Sequence, residues 1–472
     1  MSKYDVAIVG AGPAGIFTAL ELVKRDNLKV LILEKGRDIE KRICPSRVRS
    51  YQLCKECALY PCAITSGWGG AGAFSDGKLT LSPEIGGWLN EYVTVAELEQ
   101  LIDYVDRVYQ EFGGPSKRYG TNAKRIESLR SKAEAAGLHL IPAQIKHLGT
   151  ERCWDVLKGM RSFLEGRAEI KTGVTVEKIL TEDGQVSGVL TDKGEVITAS
   201  SVVIAPGREG AAWLTQEARR LGLKTSNNAV DIGVRVELPA TIMEPLTKEL
   251  HESKIIYHSK SFQDKVRTFC MNPHGEVTVE TYQDTITVNG HSYADSDKRT
   301  KNTNFALLVS TAFTEPFKEP LAYGEYIARL ANLLGEGIII QRLGDLKRGR
   351  RSTPARLSEG TVVPTLKEAT PGDLSFALPY RYISDILEMI EALDHVAPGI
   401  DSDNTLLYGV EVKFYSSRLE LSSAMETKIE NLYAIGDGAG ITRGLIQSSC
   451  AGVMAARSIL QKIRKRAYAV KQ

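Results

Sequence analysis

The sequence predicts an α/β fold in which one domain is split by a second, inserted α+β domain. Three observations predict it. A strand, a glycine-rich turn and a helix open the chain. A short strand ending in Gly436-Asp437-Gly438-Ala439-Gly440 returns near its far end. Between them the texture changes at about residue 211. The 472 residues are 43% apolar and 25% charged, with 42 Gly and 17 Pro. That composition excludes disordered, collagen-like and disulfide-stapled classes. The 60 basic and 58 acidic residues nearly cancel, to +2, so no bulk field argues for nucleic acid or a membrane surface. No apolar run reaches the ~18 residues that span a bilayer. The opening MSKYDVAIVG enters a strand without a basic and then apolar leader. Seven cysteines, sparse and odd in number, fit a reducing compartment. A cytoplasmic location is expected.

Asp5 to Val9 reads as a buried parallel strand and Gly10-Ala11-Gly12-Pro13-Ala14-Gly15 as a turn, after which Ile16, Ala19, Leu20 and Val23 fall at helical spacing. A second strand, Lys29 to Leu33, ends at Glu34 and Lys35. Strand, G-x-G-x-x-G, helix, strand and acid in that order predict a Rossmann-type dinucleotide site. Gly10 allows the tight turn, Gly12 lets the backbone approach a pyrophosphate, and Gly15 lets the helix pack on the strand. With Ala14, they bring the phosphates to the free N–H groups and positive dipole end of the helix. Glu34 is placed to accept both hydroxyls of an adenosine ribose, and it would repel a 2′-phosphate. This motif alone does not choose between FAD and NAD.

The far end of the chain does. Asn431 to Ile435 reads as a strand, and Gly444 to Ile463 as a helix. With Gly436 to Gly440 between them, this resembles the second FAD fingerprint of the glutathione-reductase-like flavoproteins. The resemblance implies that Gly436 and Asp437 meet the ribityl chain or pyrophosphate. It also implies that the backbone of Gly444, Leu445 and Ile446 faces the pyrimidine end of the isoalloxazine, where a helix N-terminus supports negative charge on a reduced flavin. Val202 to Gly207, including Ala205, resembles the middle fingerprint of the same superfamily. Val174 to Ile179, Val186 to Thr191 and Glu195 to Ile197 resemble its β-meander, with Val176 flanking adenine. FAD is therefore the expected cofactor. No second strand, G-x-G-x-x-G and helix unit follows, so electrons are expected from the substrate, a transiently bound nicotinamide or a ferredoxin-like protein.

Cys44, Cys54, Cys57 and Cys62 form a C-x9-C-x2-C-x4-C cluster. Four thiols this dense suit a 4Fe–4S cluster or structural Zn²⁺, with free thiols or a redox disulfide as the plainer reading. The loop Ser66 to Lys78 follows, and its small residues Gly69, Gly70, Ala71 and Gly72, with Lys78, would let the backbone run against the cofactor. GGAGAFSDGKL, Asp231 to Glu237, Phe269 to Pro273 and Gly436 to Gly440 together resemble the uncharacterised FAD-dependent dehydrogenases, over nearly the whole chain. The resemblance implies a two-domain FAD and substrate architecture without fixing the substrate. Some members lack the cysteine quartet, so the fold does not need it.

The expected division is 1–210 for the first part of the FAD domain, 211–404 for the inserted substrate domain and 405–472 for the second part. Residues 44–62 form a Cys-rich loop and 86–136 a helical excursion within the first part. Runs such as Val234 to Leu238, Val277 to Val288 and Ala306 to Thr311 read as strands of one inserted sheet. Cys270 and His274 are the candidates for the proton donor or acceptor that accompanies hydride transfer at the flavin, although lone Cys and His residues are more often structural. A basic cluster at Arg342, Lys347, Arg348, Arg350 and Arg351 is either a solvated helix end or a grip on an anionic substrate. The expected function is FAD-dependent oxidation or reduction of a small, anionic organic molecule by hydride transfer. The alternatives are an iron–sulfur flavoprotein module fed by a ferredoxin-like partner, and an RNA-acting flavoenzyme motivated only by the basic clusters. No membrane and no nucleic acid partner is otherwise expected.

Overall fold

The computed structural model describes residues 3–24, 28–44, 61–226, 228–282, 285–311, 319–414 and 417–469. Two large sheets organise them. In the first, β1 (Tyr4–Val9) lies between β2 (Val30–Glu34) and β9 (Val196–Ile204), parallel to both, and β6 (Glu169–Thr172) extends the edge beyond β2. β21 (Leu432–Ala434) also runs parallel to β9. From β9 the chain's expected meander, β8 (Gln185–Thr191) and β7 (Val176–Glu182), runs antiparallel.

The unbroken apolar runs of β1 and β2 follow from burial on both faces. One layer is the pair formed by α1 (Pro13–Leu22) and the helix Leu445–Ala469. Their approach is very close: a Cβ at Gly452 would lie 2.2 Å from the Ala14 carbonyl oxygen, and Thr18 Oγ1 donates to the Gly452 carbonyl at 3.2 Å.

The second sheet has the order β18 (Thr370–Pro371), β17 (Ile339–Arg342), β19 (Leu406–Lys413), β11 (Val230–Pro239), β16 (Asn302–Thr311), β13 (Lys265–Asn272), β12 (Lys254–His258) and β4 (His139–Ile141). It is antiparallel except between β17 and β18. Strict alternation gives it two unlike faces. Ile232, Val234, Val236, Phe305, Leu307 and Val309 turn to a core shared with the helices Ala240–Leu250, Pro320–Gly335 and Tyr380–Asp394. The other face carries Asp231, Arg235, Glu237, Asn304, Glu411 and Lys413. It too is buried, Arg235 and Glu411 completely. Such a face needs a partner, and much of it is covered by the hairpin of residues 276–282 and 285–291, from which Asn289 reaches Arg235 and Glu280 reaches Lys413.

Three smaller pairs complete the fold: β3 (Lys78–Leu81) with β5 (Gln144–His147), β10 (Thr225–Ser226) with β20 (Arg418–Leu419), and β14 (Glu276–Tyr282) with β15 (Thr285–His291). The run from Val277 to Val288, expected as one strand of the inserted sheet, is instead this last hairpin, whose two arms pair with each other.

Sheet membership also runs past the expected division at 404. β19 pairs with β11 and β17, so the second sheet extends to Lys413. The helix Ala211–Arg220 packs Leu214 and Ala218 into the first core. The 86–136 excursion holds two helices. Val95–Glu111, begun by a Thr94/Glu97 capping box, joins the first core, whereas Leu129 and Ala133 of Ala123–Ala135 join the second. Among the described residues no helix is long and apolar enough to cross a membrane.

A Gly452→Ala variant tests the helix contact. Alanine gains ~1 kcal/mol over glycine inside a helix, but here its Cβ meets a backbone oxygen. Overpacking of about 1–3 kcal/mol should win, so the denaturation midpoint is expected to fall.

Candidate active site between the two sheets

The strand ends of β1, β9 and β21 open on one crevice, the place where parallel α/β sheets take ligands. Two kinds of glycine shape it. Gly10 (φ +106°) and Gly15 are forced by close approach, since their Cβ atoms would lie 2.1 Å from the Ala205 oxygen and 2.0 Å from the Gly10 oxygen. Gly12, Gly207 and Gly444 are open instead, with nothing within 4 Å of a Cβ. Gly12 is the N-cap of α1 and Gly444 precedes the helix Leu445–Ala469, so open backbone lies at two helix N-termini and in the turn after β9. The glycine loop packs beside the first two. Gly69 N–H donates to the Ala11 oxygen at 2.7 Å, a Cβ at Gly70 would lie 3.1 Å from Gly12 Cα, and one at Gly72 would touch Leu445.

The acid at the end of β2 has less freedom than expected. Glu34 is buried. Its Oε1 accepts the Gly36 and Gly67 amides at 2.8 and 2.9 Å, and its Oε2 accepts the Ala11 amide at 2.8 Å. One lone pair on Oε2 is left, enough for one ribose hydroxyl and not two. Val174 N–H donates to the Glu34 carbonyl at 3.0 Å, which brings the buried Val176 beside the same end of β2. Lys35 pairs with Glu209 at 3.5 Å. At the far fingerprint, Thr442 and Ser448 hydroxyls donate to Asp437 Oδ1 at 3.0 and 2.8 Å. Burial raises the Asp437 pKa against the pull of Arg208 and those hydroxyls. Ala14 packs against Gly436, whose Cβ would lie 3.1 Å from the Ala14 Cβ.

Lys78 leaves the glycine loop and enters the charged face of the second sheet. Its ammonium lies 3.0 Å from Asp76, 3.0 Å from Glu252, 3.3 Å from Asn272 Oδ1 and 4.0 Å from Cys270 Sγ. Burial opposes its charge, but Asp76, then Cys270 and Glu252, outweigh it and raise its pKa. Three donors are thus directed at three oxygens, and Lys78 links the glycine loop to the second sheet. A break in register between Phe269 and Asn272 against β16, with Cys270 at φ +45°, turns Cys270 and Asn272 toward this cluster.

Behind them Arg235 donates to both oxygens of Glu411 at 2.8 Å, to Asn304 Oδ1 at 2.8 Å and to the Cys270 carbonyl at 3.1 Å. Lys413 reaches Glu411 at 3.1 Å and Glu280 at 3.5 Å, and Arg208, from the turn after β9, reaches Glu280 at 3.3 Å. Burial works against the Glu280 charge, yet Arg208 and Lys413 hold its pKa down to about 2.

The chain was compared with known proteins. Residues 229–414 match the model of the C-terminal domain-like family of FAD-dependent proteins, 8–41 that of the NAD(P)-binding Rossmann-like domain, and 365–467 that of glucose inhibited division protein A. The chain is thus a FAD-dependent protein by the match that covers its second sheet. An uncharacterised protein of Clostridium beijerinckii is 28% identical over 489 residues, covering 98% of this chain and 81% of that one. Among solved structures, glycine oxidase from Geobacillus kaustophilus aligns over 98% of this chain and 95% of its own at 14% identity and TM-score 0.40. L-proline dehydrogenase from P. horikoshii aligns over 98% and 94% at 12% identity and TM-score 0.41.

The residues of this flavoprotein fit its cofactor. The space beside the backbone of Gly12, Gly207 and Gly444 is open at each, where any side chain would intrude. Other expected residues lie elsewhere. His274 is at the turn before β14, where its Nδ1 meets the Thr300 carbonyl at 3.1 Å. Among the described residues its hydrogen bonds are with Thr300 and not with the Lys78 cluster. The internal basic cluster grips its own neighbours: Lys347 and Arg348 pair with Asp401 and Asp403, and Arg350 with Asp345. Cys54 and Cys57 lie outside the described residues. Cys44 is buried and Cys62 half-buried. The buried Arg42 donates to the carbonyls of Ala63, Ile64, Trp68 and Gly70, fastening the end of this segment to the glycine loop.

Two predictions follow from this geometry. Gly12→Val should leave the melting temperature of flavin-free protein nearly unchanged and lower its FAD content, whereas Gly10→Ala should lower both. The buried acids set the second. Lys78, with His147, outweighs burial and holds the Asp76 pKa low, as Arg208 and Lys413 do for Glu280. Depressed folded-state values mean stability that is complete above about pH 4.5 and lost toward pH 2. Thermal melts across that window should fall for the native chain and fall less steeply for Glu280→Gln.

Proposed function

We propose that this enzyme transfers a hydride between FAD and a small anionic organic molecule held against the charged face of the second sheet. The observation that supports the reading is that face itself. Two whole strands, β11 and β19, bury Asp231, Arg235, Glu411 and Lys413 where a structural sheet would bury hydrocarbon. Desolvating such groups costs several kcal/mol each unless they are paired, and their pairing here keeps the face polar, preorganised and shut off from bulk water. When bound, FAD supplies a two-electron centre. The backbone amides of Gly444 to Ile446 orient its pyrimidine end, and Asp437 its ribityl or pyrophosphate oxygens. The proton that accompanies hydride transfer is assigned to Cys270, whose Sγ faces Lys78 and lies 3.9 Å from Asn289 Oδ1. Arg235 positions Cys270 through its carbonyl. The proposed setting is the cytoplasm, with a nicotinamide or a ferredoxin-like protein as the other electron partner.

Anaerobic mixing of the yellow holoprotein with small carboxylic acids and their amides, before and after reduction by NADH, NADPH or ferredoxin, tests the reading. At least one acid should bleach the oxidised flavin, or restore the colour of the reduced one, faster than its amide. A flavin whose oxidation state no acid alters in either direction would contradict it. Cys270→Ala should keep its flavin and slow the acid-driven step roughly 100-fold or more, the usual scale of general acid–base catalysis. An unchanged rate would remove Cys270 from the mechanism.

A further inference from the structure

The charged face is nearly neutralised, with one exception. Lys78, Arg208, Arg235, Arg267 and Lys413 are each held by a carboxylate, Arg267 by Asp231. Lys254, at the start of β12, has no ion pair among the described residues. The two acids nearest to it are already engaged, Glu252 by Lys78 and Asp231 by Arg267. What the ammonium does meet is the ring of Phe269, 4.7 Å from its centroid. The same ring has Arg267 at 4.8 Å and Lys413 at 5.9 Å. Three cations around one half-buried ring, one of them without an ion pair among the described residues, leave an excess of positive charge on the polar face of the second sheet.

We propose that Lys254 is the anchor for the substrate's anionic group, an oxyanion that pairs with Nζ and completes the charge balance of the face while the apolar part of the substrate lies along Phe269. The inference rests on the function proposed above and names its recognition element. A carboxylate or a phosphate monoester would satisfy the same chemistry.

The groups facing Lys254 fix the pH behaviour. Arg267 and Phe269 face it from β13, Asp231 from β11, Lys78 from β3, and Glu252 from its own segment. On β4, Ile141 pairs with Lys254 and His139 with Ile256. Burial, reinforced by Arg267 and opposed by Glu252, pushes the lysine down to about 8. It is therefore charged at neutral pH, and anion affinity should fall about tenfold per pH unit above 8.

The test uses flavin-loaded protein, with flavin content measured first. Acetate, succinate, benzoate and inorganic phosphate are titrated in turn, read by perturbation of the flavin spectrum and by the shift in melting temperature. The native protein should bind one class saturably, with affinity lost above pH 8. Lys254→Met should weaken binding roughly 10- to 100-fold, the scale of a charge-assisted hydrogen bond, with flavin content retained. Lys254→Arg should restore binding and carry it to higher pH. Preference for the carboxylates or for phosphate tells the two sources apart. Equal binding by Lys254→Met, no saturable binding by the native protein, or a native affinity flat through pH 9 would each overturn the anchor. Absence of flavin would overturn the function proposed above, a separate result seen before any anion is added.

Discussion

The site depends on β9 accepting β1 along one edge and β21 along the other. That pairing brings the first and last glycine turns, more than four hundred residues apart, to the same end of one sheet. Parallel pairing is favourable only when both faces are covered. Here the cover on one side is α1 against the helix Leu445–Ala469, at a distance that only Gly452 permits. The helix pair that stabilises the sheet is therefore also the pair whose N-termini follow the two glycine turns proposed to hold the cofactor. Stability and binding share the same contact, and loosening it should loosen both.

The second domain solves a different problem. Its sheet has one hydrocarbon face and one ionic face, both buried. The Arg235–Glu411 pair, wholly enclosed, offers little net stability compared with apolar residues of the same volume. Retaining it makes sense if the polar surface is wanted. Lys78, Arg208 and Glu280 tie that surface to the flavin domain through ion pairs that cross between the two. The same contacts place Cys270 beside Lys78, at the end of the glycine loop.

How much of this could be read from the sequence follows from the range of the interactions. The glycine turns, the acid after β2 and the meander are local, and their spacing alone carries them. The occupancy of Glu34 is not local, because one of its donors, Gly67, lies far along the chain and reaches it only through the folded loop. The charged cluster was hidden for the same reason. Its members come from β3, the turn after β9, β11, β13, β14, β15, β16 and β19, and each reads in sequence as an ordinary polar residue. A sign was present in Asp231-Ile232-Gly233-Val234-Arg235-Val236-Glu237, where charge alternates with hydrocarbon in a strand too apolar to lie at a surface. Cys270 and His274 looked equivalent as neighbours in one turn, but the bulge at Cys270 turns it toward Lys78 while His274 meets Thr300. The basic run at 342–351 looked like an anion grip because its carboxylate partners, Asp401 and Asp403, are distant in sequence.

The central claim is that both ends of the chain enclose one adenine–isoalloxazine molecule. The most direct measurement is the flavin-to-protein ratio of purified, gently handled protein, before and after incubation with added FAD. The account predicts a yellow protein approaching one FAD per chain. A colourless protein that takes up no added flavin would contradict it.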